Sequence, residues 1–160
     1  QRRRGRGGLL ALAPTALLAA WRRKLGEALF SLSIPIKPVP ASRVCVTQWG
    51  TYYAKTYRKW RDDACIFLAG ERTGPETHRG PLAVITEIVS PRPKTTKRLF
   101  PKGDNDNFEK AVWDSITNDK GRWWHDDDQV VLNVTLKRYA RKNESPGVRL
   151  SAYPIKPEDL

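Results

Sequence analysis

Phe30, Leu32, Ile34 and Ile36 alternate with Ser31, Ser33 and Pro35, the two-residue period of a half-buried strand. Pro35, Pro38 and Pro40 then force an extended connection or an edge strand, because proline cannot donate to a ladder. Val44, Val46 and Thr47 predict a second strand, with Trp49-Gly50 as the turn after it. From about Ala54 the spacing changes to that of a helix. Tyr57, Trp60, Ala64, Phe67 and Leu68 share one face and the helix ends near Gly70, while Lys55, Arg58, Lys59 and Arg61 fall opposite, solvated or facing a ligand. Residues 71–81 read as a polar loop, and Leu82 to Val89 (LAVITEIV) as a strand.

Residues 90–103 (SPRPKTTKRLFPKG) carry Arg92, Lys94, Lys97, Arg98 and Lys102 among three prolines, which predicts a mobile basic loop. Helical spacing returns beyond Asp106. Phe108, Ala111, Val112, Ser115 and Ile116 form a stripe directed at the sheet, with a stop at Asn118 and Gly121. Strict alternation from Gln129 to Arg138 sets Val130, Leu132, Val134 and Leu136 on one side of a strand. A turn over 143–147 and a last strand over 148–153 follow. The order predicts a single α+β domain, a mixed sheet with helices packed mainly on one face. The domain is expected over 29–156, followed by a tail, 157–160.

Residues 1–28 differ from the rest. QRRRGRGG precedes the apolar run LLALAPTALLAA and WRRKLGEA, with seven Lys and Arg against one acid, Glu27. The run is too short to span a bilayer and contains Pro14. The segment is expected to be an appended extension with a marginal helix, outside the core.

Composition then changes the picture. The chain carries a formal net charge of +12, which points to a polyanionic partner. Cys45 and Cys65 are too few and too far apart for a zinc knuckle or a disulfide framework. Against this basic background, 8 of the 17 acidic residues lie between Gly103 and Val130. Hard carboxylate oxygens suit Mg²⁺ or Mn²⁺, and such ions serve phosphodiester cleavage. Asp104 and Asp106 stand two residues apart and Asp127 just precedes a strand, so a helix packed beside that strand could gather all three. Lys110, four residues after Asp106, would reach a scissile phosphate or the attacking water. The structural alternative is that Asp104 or Asp106 caps the helix and 126–128 is a polar turn. An EF-hand is excluded, because its sixth and twelfth positions counted from Asp104 would be Glu109 and Ser115. The two histidines, His78 and His125, sit in no nucleophile motif, although His125 could support a metal site from beside the acids.

The string DNDNFEKAVWDSIT followed by WHDDDQV resembles the signature of RusA-type Holliday-junction resolvases, the crossover-junction endodeoxyribonucleases of bacteria and their prophages. FSLSIPIKPVP and TYYAKTYRKW resemble that family's first strand and helix, so the likeness runs from about Phe30 to Tyr153. The resemblance implies a cytoplasmic homodimer that binds four-way junctions and makes paired symmetric nicks with Mg²⁺ or Mn²⁺ in DNA recombination and repair. It implies Asp104, Asp106 and Asp127 as metal-binding catalytic acids, with Lys110 as the catalytic cation. Asn107, Asp114 and Asp126 match signature positions in supporting roles. Arg43, Lys55, Arg58, Lys59, Lys94, Lys97, Arg98 and Lys102 are the expected DNA contacts. Val44-Cys45 and Gln48 stand where many phage members carry Pro-Arg and a further basic residue, which shifts the expected grip toward the loop from Arg92 to Lys102. The rival readings are a non-catalytic basic nucleic-acid-binding module and a metal nuclease for other branched DNA.

Overall fold

The structure, a computed structural model, describes residues 13–71, 77–117 and 122–160. In chain order it has helix α1 (Pro14–Leu25), strand β1 (Phe30–Ile34), the short strands β2 (Cys45–Thr47) and β3 (Gly50–Tyr52), helix α2 (Lys55–Glu71) and strand β4 (Leu82–Ser90). Helix α3 (Asn105–Ile116) and strands β5 (Val130–Tyr139) and β6 (Gly147–Pro154) follow. Four strands form one mixed sheet in the order β1-β6-β4-β5, with β4 and β5 parallel and the other neighbours antiparallel. A parallel pair needs a crossover, and α3 supplies it. The expected helix stop at Asn118 and Gly121 and residues 72–76 of the expected polar loop lie outside the described residues.

Every residue of β4 is buried, which requires cover on both faces of the sheet. On one face Tyr57, Trp60, Ala64 and Leu68 of α2 and the predicted α3 stripe pack over Leu82, Val84, Ile88, Leu150 and Ala152. On the other face lies α1. Leu18, 3% exposed, meets Ala83, Ile85 and Tyr153, with Trp21, Leu25, Leu132, Val134 and Leu136 packed around them. One expectation is corrected here. Residues 14–25 are not outside the core: α2 and α3 share one face of the sheet, and α1 covers the other. The physical reason is visible in LAVITEIV: its apolar side chains point both ways, and Leu18, Trp21 and Leu25 recur on one face of α1 to cover the second side.

Two smaller corrections concern strands. The strand predicted at Val44–Thr47 does not join the sheet; β2 and β3 form a separate hairpin whose six residues are all exposed. The apolar positions of β5 do not all serve one core. Pairing with β4 runs from Leu82↔Val130 to Ala83↔Leu132, skipping Val131, and this irregularity turns Val130 to the α2/α3 side while Leu132 onward faces α1.

Candidate active site

Asp104 occupies the N-cap of α3 in extended backbone (φ −85°, ψ 149°), yet its side chain makes no capping hydrogen bond. Asp106 lies in the first turn, where the helix dipole favours a carboxylate. Both acids are exposed, and neither has a side-chain partner among the described residues. Their backbone is held from two sides. Asn105 Nδ2 donates to the Thr135 carbonyl (3.3 Å) and the Lys137 ammonium donates to the Gly103 carbonyl. Ala41 N donates to the Asn107 carbonyl (2.9 Å), so Asn107 acts here through its main chain.

Asp106, Lys110 and Asp114 recur every four residues and share a face of α3. The Lys110 ammonium lies 3.2 Å from Asp114 Oδ2, which also accepts the Tyr57 hydroxyl at 2.6 Å. Burial, then the Asp114 carboxylate, pushes the Tyr57 hydroxyl well above its ordinary range, so it stays a proton donor.

Asp127 arrives from the loop after α3. The Trp124 indole, completely buried, donates Nε1–H to Asp127 Oδ1 at 2.8 Å. That ring is wedged perpendicular to Trp113 (6.0 Å between centroids) and beside Phe30 (6.3 Å). Gln129 fixes the loop: its Oε1 accepts from the backbone N–H of His125 and Asp126 (both 2.8 Å), and its Nε2 donates to the carbonyls of His78 (3.1 Å) and Gly80 (2.8 Å). Asp126 completes a capping box with Gln129 around the turn Asp127–Gln129. Burial raises the Asp127 carboxyl above its usual range, helped by Asp114 and Asp126 and opposed by the Trp124 hydrogen bond and by Lys110. A half-buried carboxylate pressed by two others is a place where a cation gains electrostatic energy.

The expected basic contacts are all exposed. Arg43 is exposed at the foot of the hairpin, and Lys55, Arg58 and Lys59 line an open depression on α2 together with Arg61, Asp62 and Asp63. Lys59 is tied to Asp63 at 2.8 Å. Lys94, Lys97, Arg98 and Lys102 are exposed on the loop before α3. That loop, expected to be mobile, has ties: the Arg92 guanidinium lies over Tyr139 at the end of β5 (5.2 Å) and that of Arg98 over Phe100 within the loop (5.7 Å).

A family model described as Endodeoxyribonuclease RusA matches residues 35–151. The chain belongs to that family. The RusA match covers Asp104, Asp106, Lys110, Asp114, Asp126 and Asp127 alike, and it begins beyond α1. No curated protein matches the chain.

Among the described residues no three His, Cys, Asp or Glu side chains stand close enough to hold an ion together. Mg²⁺ needs less, since it takes one or two carboxylates and keeps waters and phosphate oxygens for the rest. The uncommitted pair Asp104 and Asp106 fits that requirement. Three residues the sequence reading passed over shape the site: Tyr57, Trp124 and Gln129. The last two stand inside WHDDDQV, so the spacing held a signal; Tyr57 had none, being one of several core positions on α2. Trp124→Phe removes the indole donor to Asp127, and cleavage by the folded variant is expected to fall about tenfold at unchanged DNA binding, the worth of one charge-assisted hydrogen bond. Nicking rates alongside near-UV circular dichroism check this; an unaltered rate would separate Trp124 from the chemistry.

Proposed function

We propose that this RusA-family endodeoxyribonuclease resolves four-way DNA junctions by paired symmetric nicks, as a homodimer dependent on Mg²⁺ or Mn²⁺, in the cytoplasm of a bacterium or an infected cell. The observation that carries the reading is the family match across both halves of the acidic constellation, on α3 and before β5. Asp104 and Asp106 would hold the ion, and Asp127, on the loop before β5, would add its negative charge to the same acidic surface. A bound Mg²⁺ supplies positive charge against the scissile phosphate and acidifies water beside it. Lys110 carries a second positive charge toward the phosphate, and Asp114, anchored by Tyr57, keeps its ammonium on that face. Arg43, Lys55, Arg58, Lys59, Lys94, Lys97, Arg98 and Lys102 bind the phosphates of the arms, and branched shape supplies selectivity. A junction has approximate two-fold symmetry, so a C2 dimer sets two equal sites on matched phosphates. No helix among the described residues is long and apolar enough to cross a membrane.

The test is a synthetic mobile junction incubated with Mg²⁺, with the arms labelled separately. Nicks at matched positions in two opposed strands are the expected product. Binding without cleavage in Mg²⁺ or Mn²⁺ would leave a basic binding module, and equal cutting of flaps would leave a general nuclease for branched DNA.

A further inference from the structure

The hairpin β2–β3 contributes nothing to either core, yet it is built with care. A two-stranded hairpin standing alone is marginal in water. Here Thr47 Oγ1 donates to the Gly50 carbonyl (3.0 Å) and accepts from Trp49 N (3.3 Å), and Gly50 takes φ +132°, where other residues are strained. The turn so fixed presents Trp49 at its tip with 89% of its surface exposed, and Val46 beside it is 79% exposed. An ordered, solvent-facing indole next to further apolar surface marks an interaction site.

Its position gives the partner. The hairpin's two ends are pinned together where Ala54 N donates to Ser42 Oγ (3.0 Å), and Tyr53 packs edge-on against Tyr57 (5.3 Å between centroids). Ala41, at the same foot, bonds the carbonyl of Asn107, the residue after Asp106. The tip is thereby tied to the first turn of the acidic helix. Arg43 and Lys55 flank the hairpin on either side and Arg58 follows one turn later, all exposed. A second copy docking tip to tip across a two-fold axis would bring those cations against their own images. A nucleic acid brings phosphates to the cations and a base to the indole.

We propose that Trp49 is a base-stacking platform, receiving an unpaired base at the branch point while Arg43, Lys55 and Arg58 hold the flanking phosphates. The proposal rests on the reading of branched DNA as substrate, and it assigns to the hairpin the recognition of disrupted pairing rather than of duplex arms. Stacking on an aromatic tolerates any base and needs only that the base be free of its pair.

The experiment uses the full chain carrying Asp106→Asn, so that substrate survives, and two probes: a four-way junction and a duplex with a short single-stranded gap, each with 2-aminopurine at the unpaired or branch-point position. Trp49→Ala is expected to weaken binding of both probes about tenfold and to abolish the 2-aminopurine fluorescence change, while Trp49→Phe keeps most of both. Fully paired duplex of equal length is expected to bind all three proteins alike. Trp49-dependent binding of the gapped probe upholds the platform even if the parent protein never cuts a junction, so the two readings fail separately. Equal affinities for Trp49→Ala and its parent would overturn it, as would a Trp49→Phe protein no better than Trp49→Ala. A change in sedimentation on Trp49→Ala, without a change in the fluorescence response, would instead assign the tip to contact between copies.

Discussion

Asp106→Asn is expected to lower junction cleavage by on the order of 10³-fold, the range reached when one preorganised charge or dipole is removed from a reacting centre. The substitution is chosen for what it leaves alone. Asparagine has nearly the same shape, and Asp106 is exposed and makes no hydrogen bond to another described side chain, so folding stability is expected to move by no more than about 0.5 kcal/mol. Junction binding should hold or tighten slightly, because one negative charge leaves a surface that meets phosphates. The loss therefore reports chemistry. Titrating Mg²⁺ adds a second readout: a ligand to the ion predicts that the half-saturating concentration rises as well as the maximal rate falling. Cleavage within a few-fold of the parent at saturating Mg²⁺ would remove Asp106 from the site and favour its role as a simple helix-dipole partner.

The shared helical face of Asp106, Lys110 and Asp114 was legible in the sequence because spacing carries it: four residues from Asp106 to Lys110 is about one helical turn, whatever that helix packs on. The stripe from Phe108 to Ile116 was legible for the same reason, and all five of its positions are buried. What failed to show was anything decided by contact between distant segments. Trp124 holds Asp127 only because Phe30 and Trp113 immobilise the indole, and Gln129 clamps the loop only because His78 and Gly80 lie 51 and 49 residues away in sequence with their carbonyls turned toward it. The helix of residues 14–25 was expected, but not its place in the core, because its sequence does not say which sheet face it covers; Pro14 starts the helix, where its missing N–H costs nothing. The hairpin was read as one strand because alternation cannot tell a strand that joins a sheet from one that leaves it. Proximity between Asp127 and Asp114 was equally hidden, since it depends on the path of the chain after α3.

Arg138→Ala is expected to destabilise the protein by about 3 kcal/mol, and so to lower Tm by roughly 6–12 °C for a chain of this length. Glu87 sits on the central strand with 6% of its surface exposed, on the α1 face with Ala83 and Ile85. Arg138 Nε donates to its Oε1 at 2.7 Å, and the same guanidinium grips Glu144 with Nη1 and Nη2 at 2.6 and 2.7 Å. Arg149 and Arg22 approach Glu87 only to 3.9 and 3.8 Å, too far to replace a direct hydrogen bond. Truncating Arg138 thus leaves a buried carboxylate under-compensated, which is where ion pairs become costly to break. Acid separates this account from a simple packing loss. Hydrogen bonds from Arg138, then from Arg141 N, hold the Glu144 carboxyl far below the usual range. A carboxyl depressed in the folded state stabilises above its unfolded pKa, and that contribution disappears as pH falls toward the folded one. The parent should therefore lose stability between pH 7 and pH 3 more steeply than the variant, whose Glu144 has lost its main partner. Equal drops in Tm for both proteins over that interval would show that Arg138 acts through its methylenes and not its charge. Because the network lies on the sheet face away from α3, variant protein that is still folded at 25 °C is expected to cut junctions at close to the parental rate, and a proportionate fall in cleavage would mean that strain in β5 reaches Thr135 and Lys137, where the strand holds the first turn of the acidic helix.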